Sequence, residues 1–325
     1  MAINKTMLIG NGICRGPQVS EYYPSWEKIL KILSKEFAVP LKTLKSKPLP
    51  LVYERIRLEM LRDNQDPYLL LKRVSGLMRD VGISSVLTSI YPSLTKNILT
   101  TNYNYALNLP PVFDTANQRK IYKNISENFY SLFRGYKDDM RQIWNIHGEV
   151  KNPKSILLGH AQYSKYMGQV KDYLYKGIKF TRVSESLRSP LSGKTPNFNF
   201  EDNVEIYSWV DLFLRDEIHV VGLGLDFSEI ILWWLISEKM ALQAKFNKKV
   251  GDLIYYNIQS EESADTAQKK CTRSMLEDLG AKIIPIKANS YEDGYKKIAN
   301  IIRPGVVEAW HEDTGDGWDF LRLLP

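Results

Sequence analysis

Cysteine is scarce in this 325-residue chain, which has only Cys14 and Cys271. Two thiols exclude a disulfide framework and a four-cysteine zinc module, and both read as reduced packing residues. Histidine is nearly as scarce, at four, so each imidazole asks for a reason. Long apolar runs are missing as well. A membrane helix needs about 18 such residues, and the closest candidate, "IILWWLISEKMAL", is interrupted by Ser237, Glu238 and Lys239. No membrane partner is therefore expected. The opening "MAINKTMLIGNG" reads as strand and turn rather than signal peptide, so the expected location is cytoplasmic. No acidic or Cys/His cluster has ligand spacing, so no metal is expected.

What is present suits a large globular core, since 44% of residues are hydrophobic and 25% charged. The net charge is +7, and the last 22 residues hold five acids and one arginine. The body before that acidic tail is thus more basic still, which suits an anionic ligand, a phosphate-bearing cofactor or an acidic partner. The densest basic patch, "LKTLKSKPLP" (Leu41–Pro50), also reads as a solvated helix end and linker. With charge but no recognition motif, nucleic acid is not expected as a direct ligand.

Along the chain, "TMLIG" reads as a short apolar strand. "SWEKILKILSKEF" reads as an amphipathic helix capped by Ser25. Helical periodicity continues from Leu51 to about Val81 and through "SVLTSIYPSL" up to Pro92. "KNILTTNYN" and "QIWNIHGEV" are strands ending in loops, and residues from about Lys151 to Trp209 read as an inserted mobile lobe. The last third alternates: strand "EIHVVGLGL", the Trp-rich helix, strand "DLIYYNI", a helix closed by Gly280, strand "AKIIPI", and helix "SYEDGYKKIANII". Such alternation predicts an α/β fold, a Rossmann-like doubly wound parallel sheet with an inserted, mostly helical smaller lobe.

In such sheets ligands sit at the carboxyl ends of the strands, where the informative polar residues fall. Gly10-Asn11-Gly12 follows the first strand; it suits either a tight turn or a backbone that approaches a pyrophosphate. Thr101, Asn102 and Asn104 follow the second, and two amides two residues apart suit a polar pocket as well as a helix cap. His147 lies just past the next strand, and Gly148 after it leaves room beside the ring. Gly222 and Gly224 open the loop before Asp226 and Glu229, which read as a capping box for the Trp-rich helix. Asn257 ends "LIYYN". Of the other histidines, His160 reads as exposed, His219 as buried packing and His311 as solvated. Trp233 and Trp234 read as core packing or an oligomer contact.

In that order, "IGNGI", "TTNYN", "NIHGEV", "GLGLDFSE" and "YYN" resemble the SIR2 family, in its divergent bacterial branch of anti-phage defence NADases. The resemblance runs over most of residues 5–300 and is weakest in 15–90 and 151–210. It implies one NAD-binding catalytic domain over residues 1–303, with helical insertions at about 17–92 and 151–209, followed by an acidic tail at 304–325. It makes NAD the substrate. His147 would be the general base, near the ordinary imidazole pKa of about 6.5, and Asn102 would orient the ribose or the attacking water. Thr101 and Asn104 would lie in the same loop, though Asn104 stands where the family often has aspartate. Gly10, Asn11 and Gly12 would lie along the pyrophosphate, and Gly222, Gly224 and Asn257 near the adenosine ribose. The missing zinc module and missing acyl-lysine stretch disfavour protein deacylation. The implied function is NAD glycohydrolysis in abortive infection, held in check through a homo-oligomer or a complex with a separately encoded sensor, as suits the SIR2-like subunit of a Kongming-type system. A non-catalytic NAD- or nucleotide-sensing regulatory subunit is the alternative.

Overall fold

The computed structural model describes residues 3–14, 24–41, 44, 47–79, 82–110, 112–122, 129–180, 183–191, 206–246, 250–260 and 265–304. The acidic tail after residue 304, with His311, and much of the Leu41–Pro50 patch lie outside them. The chain opens with β1 (Lys5–Ile9), α1 (Trp26–Glu36), α2 (Leu49–Arg62), α3 (Tyr68–Leu77), α4 (Ser85–Ile90) and β2 (Asn97–Thr100). Next come β3 (Arg119–Lys120), β4 (Gly135–Lys137), β5 (Gln142–Asn145), α5 (His160–Tyr175), β6 (Ile178–Phe180), β7 (Val183–Leu187) and α6 (Trp209–Arg215). The last third is β8 (Glu217–Val221), α7 (Ile230–Phe246), β9 (Leu253–Gln259), α8 (Ala267–Asp278), β10 (Lys282–Lys287) and α9 (Tyr291–Ile302).

The fold is α/β, built on one eight-stranded sheet in the order β10-β9-β8-β1-β2-β5-β4-β3. Strands β10 through β5 in that order run parallel, as a Rossmann-like fold requires. The sheet is not wholly parallel, however: β4 and β3 add antiparallel at one edge. They escape the sequence pattern because they are two and three residues long, with exposed or half-buried side chains. Strands β6 and β7 pair antiparallel as a separate two-stranded sheet in a stretch that reads as mostly helical.

The strands carry apolar residues on both faces because helices cover both. Met7, Ile9, Ile98, Ile143 and Val221 pack with α1–α4 and α9. Their alternating neighbours Leu8, Leu99, Trp144 and Val220 pack with α5, α6, α7 and Leu276 of α8. Two-sided burial turns alternation into continuous apolar runs. Local capping agrees: Ser25 Oγ accepts from the Lys28 amide at 3.2 Å and starts α1 as its sequence predicts.

The winding places the site. From β1 the chain moves to β2 and β5 on one side, then crosses to β8, β9 and β10 on the other. The loops after β1 and β8 therefore diverge from neighbouring strands, at the switch point where such sheets open a crevice.

Candidate functional site

At that switch point the two glycine turns are stitched together. The Gly10 amide donates to Val221 O at 3.0 Å and the Gly12 amide to Gly222 O at 2.7 Å. A Cβ on Gly10 would lie 2.6 Å from Leu223 Cα, and one on Gly12 would lie 2.7 Å from both Gly222 O and the Tyr295 hydroxyl. These two glycines are explained by the close approach of one loop to the other. Gly224 differs: no atom lies within 4 Å of a Cβ built there, so its open side faces the cleft.

That cleft, of about 320 Å³, is lined by Asn11, Gly12, Thr101, Asn102, His147, Gly222 and Gly224. The residues singled out after β1, β2, β5 and β8 thus converge, with Gly10 just behind: its carbonyl accepts from Asn102 Nδ2 at 3.3 Å. The same amide meets Cys14 Sγ at 3.7 Å, and the Thr100 hydroxyl accepts from the Asn102 backbone at 3.1 Å. Asn102 is buried and held on three sides, while Asn11 Oδ1 is buried and has no hydrogen-bond partner among the described residues. Trp26, Ile29 and Met78 close the cleft from one face of the sheet, and Tyr163 and Leu225 from the other.

Two expected members stand apart. Asn104 is buried, and its side chain accepts from the Ala106 amide at 3.0 Å, which makes it a turn-former rather than a lining residue. Asn257 lies inside β9 rather than at its end, and lines a separate cleft between the ends of β9 and β10.

His147 is buried with its ring edge-on to Tyr163, centroids 5.8 Å apart. Its Nε2 lies 3.4 Å from Glu229 Oε2, and the Tyr163 hydroxyl donates to that same oxygen at 3.2 Å. Burial pushes the imidazole down to about 3, not the ordinary 6.5 expected from sequence, because the cleft floor disfavours the cation. Burial lifts the Glu229 carboxyl to about 7, with the Tyr163 hydrogen bond opposing and the Asp226 charge adding to the rise. At neutral pH the imidazole is neutral, and the titrating proton belongs to Glu229.

Gly148 does not leave room for a ligand. It sits at φ +94°, and a Cβ would collide with the Ser155 carbonyl. Glu149 anchors the loop: it pairs with buried Arg134 at 2.8 Å and accepts from the Tyr105 and Tyr136 hydroxyls at 2.6 and 2.9 Å. The Leu157 amide donates to His147 O at 3.0 Å and fixes the histidine backbone.

The chain matches no protein-family model and no curated protein. The site rests on its own geometry, and sequence reasoning missed Glu229 as the partner of His147. Asp226 does form a turn at the start of α7, accepting from the Ser228 amide at 2.9 Å and hydroxyl at 2.6 Å. Glu229, read as the reciprocal half of a capping box, instead points at His147. The only available signal was an acid three residues from Asp226, and that spacing is what a cap also uses. Tyr163 was one tyrosine in a helix of four.

Among the described residues no three His, Cys, Asp or Glu side chains converge as a metal site, and no helix is long and apolar enough to cross a membrane. Another depression, about 420 Å³ beside Lys5, Lys96, Arg215 and Arg303, lies at the opposite, amino ends of the strands. The carboxyl ends are where parallel sheets bind ligands.

Proposed function

We propose that the chain is an NAD glycohydrolase, in which water replaces nicotinamide on C1′ of the ribose. The observation that carries this reading is the pair of buried His147 and partly buried Glu229, 3.4 Å apart, in a switch-point cleft that also holds Asn102. In the reaction the water oxygen bonds to C1′ and the C1′–N bond breaks. The electron pair goes to the pyridinium nitrogen, and the water proton must go to a base. Products are nicotinamide, ADP-ribose and a proton.

The two side chains divide that task. A carboxyl that titrates near 7 is matched to taking a proton at neutral pH. Neutral His147 donates or accepts through Nε2 according to the state of Glu229, which orients the carboxylate and the water. This reverses the expected roles, in which His147 is itself the base. The fixed amide of Asn102 supplies a polar wall for the ribose or the water, a positioning role. Asn11 Oδ1, buried and unpaired among the described residues, suits a donor from the carboxamide or a ribose hydroxyl. Trp26, Ile29, Met78 and Tyr163 exclude bulk water.

The defence role, the cytoplasmic setting and control through a homo-oligomer or a separately encoded sensor belong to this proposal through the SIR2 resemblance. The test is incubation of the purified chain with NAD, alone and with neighbouring gene products, following nicotinamide and ADP-ribose. Turnover lost in His147→Ala and Asn102→Ala supports the enzyme. NAD binding without turnover, unaffected by either substitution, supports the regulatory subunit instead.

A further inference from the structure

The two oxygens of the Glu229 carboxyl are not equivalent. Oε2 lies 3.4 Å from His147 Nε2 and accepts from the Tyr163 hydroxyl at 3.2 Å. Oε1 makes no hydrogen bond among the described residues, and the side chain, 20% exposed, lines the cleft. One oxygen is held and the other is open.

The donor that holds Oε2 is itself fixed without Glu229. Tyr163 sits in the first turn of α5, where the Leu158 and Gly159 amides donate to Gln162 Oε1 at 3.0 and 2.5 Å. The Ala161 amide donates to Glu54 Oε1 of α2 at 3.0 Å. Just before α5, the Leu157 amide donates to His147 O at 3.0 Å, and the Leu157 carbonyl accepts from the Tyr103 hydroxyl at 2.7 Å. Tyr163 and His147 therefore share one bonded frame, whereas Glu229 reaches them from the loop between β8 and α7. A donor fixed by its own frame orients an acceptor at little entropic cost during the reaction. Docking of α5 does not depend on that hydroxyl, because Tyr175 of the same helix donates to Glu238 of α7 at 3.1 Å, away from the cleft.

The titratable groups that face Glu229 are His147 after β5, Tyr163 on α5, Tyr103 after β2 and Asp226 in its own loop. Burial and the Asp226 charge disfavour the ionised carboxyl, and the Tyr163 hydrogen bond favours it. Burial holds the Tyr163 hydroxyl well above its ordinary pKa, so it remains a donor throughout the neutral range.

We propose that Tyr163 is a positioning residue whose hydroxyl holds Glu229 Oε2, which leaves Oε1 facing the cleft as the atom that takes the water proton. The fate of that proton rests on the glycohydrolase reading; the contact does not. As the water oxygen bonds to C1′, its O–H bond breaks and the proton passes to Oε1, while the electron pair of the C1′–N bond leaves with nicotinamide.

The experiment follows the Glu229 carboxyl directly, by carbon-13 magnetic resonance of protein labelled at the glutamate carboxyl carbon, with Glu229→Gln assigning the resonance. Wild type, Tyr163→Phe and Tyr175→Phe are titrated, and NAD cleavage is measured over the same pH range. Phenylalanine keeps the ring beside His147 and removes the hydroxyl alone, and thermal unfolding checks the fold. The Glu229 midpoint is expected to rise by about one pH unit in Tyr163→Phe, as loss of a hydrogen bond to a charged group implies, and to stay in place in Tyr175→Phe. The rising limb of the cleavage rate should move with it, lowering kcat at pH 6 by about tenfold with KM little changed. A midpoint that does not move in Tyr163→Phe, or moves equally in Tyr175→Phe, overturns the proposal. So does a midpoint that moves while the pH profile of cleavage does not. If wild type cleaves no NAD and the Tyr163→Phe midpoint still rises, the glycohydrolase falls and the hold of Tyr163 on Glu229 stands.

Discussion

Glu229 and His147 lie 3.4 Å apart, and burial acts on them with opposite sign. The carboxyl rises from an ordinary 4.5 to about 7, so between those values the folded protein holds a proton that the unfolded chain has released. Stability from this group is present at low pH and is lost as pH rises from 4.5 through 7. The imidazole falls from 6.5 to about 3, so its contribution is present above 6.5 and is lost as pH falls toward 3. Glu229→Gln cannot ionise. Relative to wild type it should gain on the order of 2–3 kcal/mol between pH 5 and pH 8, measured by urea unfolding at both values; a pH-independent difference contradicts the assignment. In the proposed reaction the same carboxyl must be ionised to take a proton. NAD cleavage is therefore expected to fall below about pH 7, and Glu229→Gln to lower kcat by about 10²–10⁴-fold with little change in KM.

Secondary-structure elements hold this pair through loop contacts, and the glycines there fall into two kinds. Gly12→Ala would force a Cβ to 2.7 Å from Gly222 O and separate the stitched loops of β1 and β8. A loss of about 1–3 kcal/mol is expected, read as a lower thermal midpoint. Gly224→Ala meets nothing within 4 Å, so the midpoint should hold while NAD affinity drops, a contrast that calorimetry can read directly. Glu149→Ala would leave Arg134 buried without its 2.8 Å partner, and a loss of about 3–5 kcal/mol in chemical unfolding is expected. The strands that frame these loops were legible because β1, β2, β5, β8, β9 and β10 are apolar runs in alternation with helices. β3 and β4 were not, being too short for any period. At the site, the strand-end rule located Asn102 and His147. It could not reveal that Asn104 turns back to the Ala106 amide, nor that Glu229 leaves its helix start, because both depend on which way a side chain points after the chain has folded.

At the scale of the whole molecule, a winding that reverses between β1 and β8 brings together loops about two hundred residues apart in sequence. Helices from both faces then cover the crevice they form, and burial there pushes the His147 imidazole down and the Glu229 carboxyl up. On the proposed reading, the proton acceptor of the glycosidic cleavage is Glu229 rather than His147. The measurement that tests it most directly is the pH dependence of NAD cleavage by wild type, His147→Ala and Glu229→Gln, with nicotinamide and ADP-ribose quantified by chromatography. A wild-type rate that rises to a plateau through about pH 7 is expected, with a Glu229→Gln variant that is nearly inactive and has lost that rise. A Glu229→Gln variant that cleaves NAD at the wild-type rate with the same pH profile would contradict it.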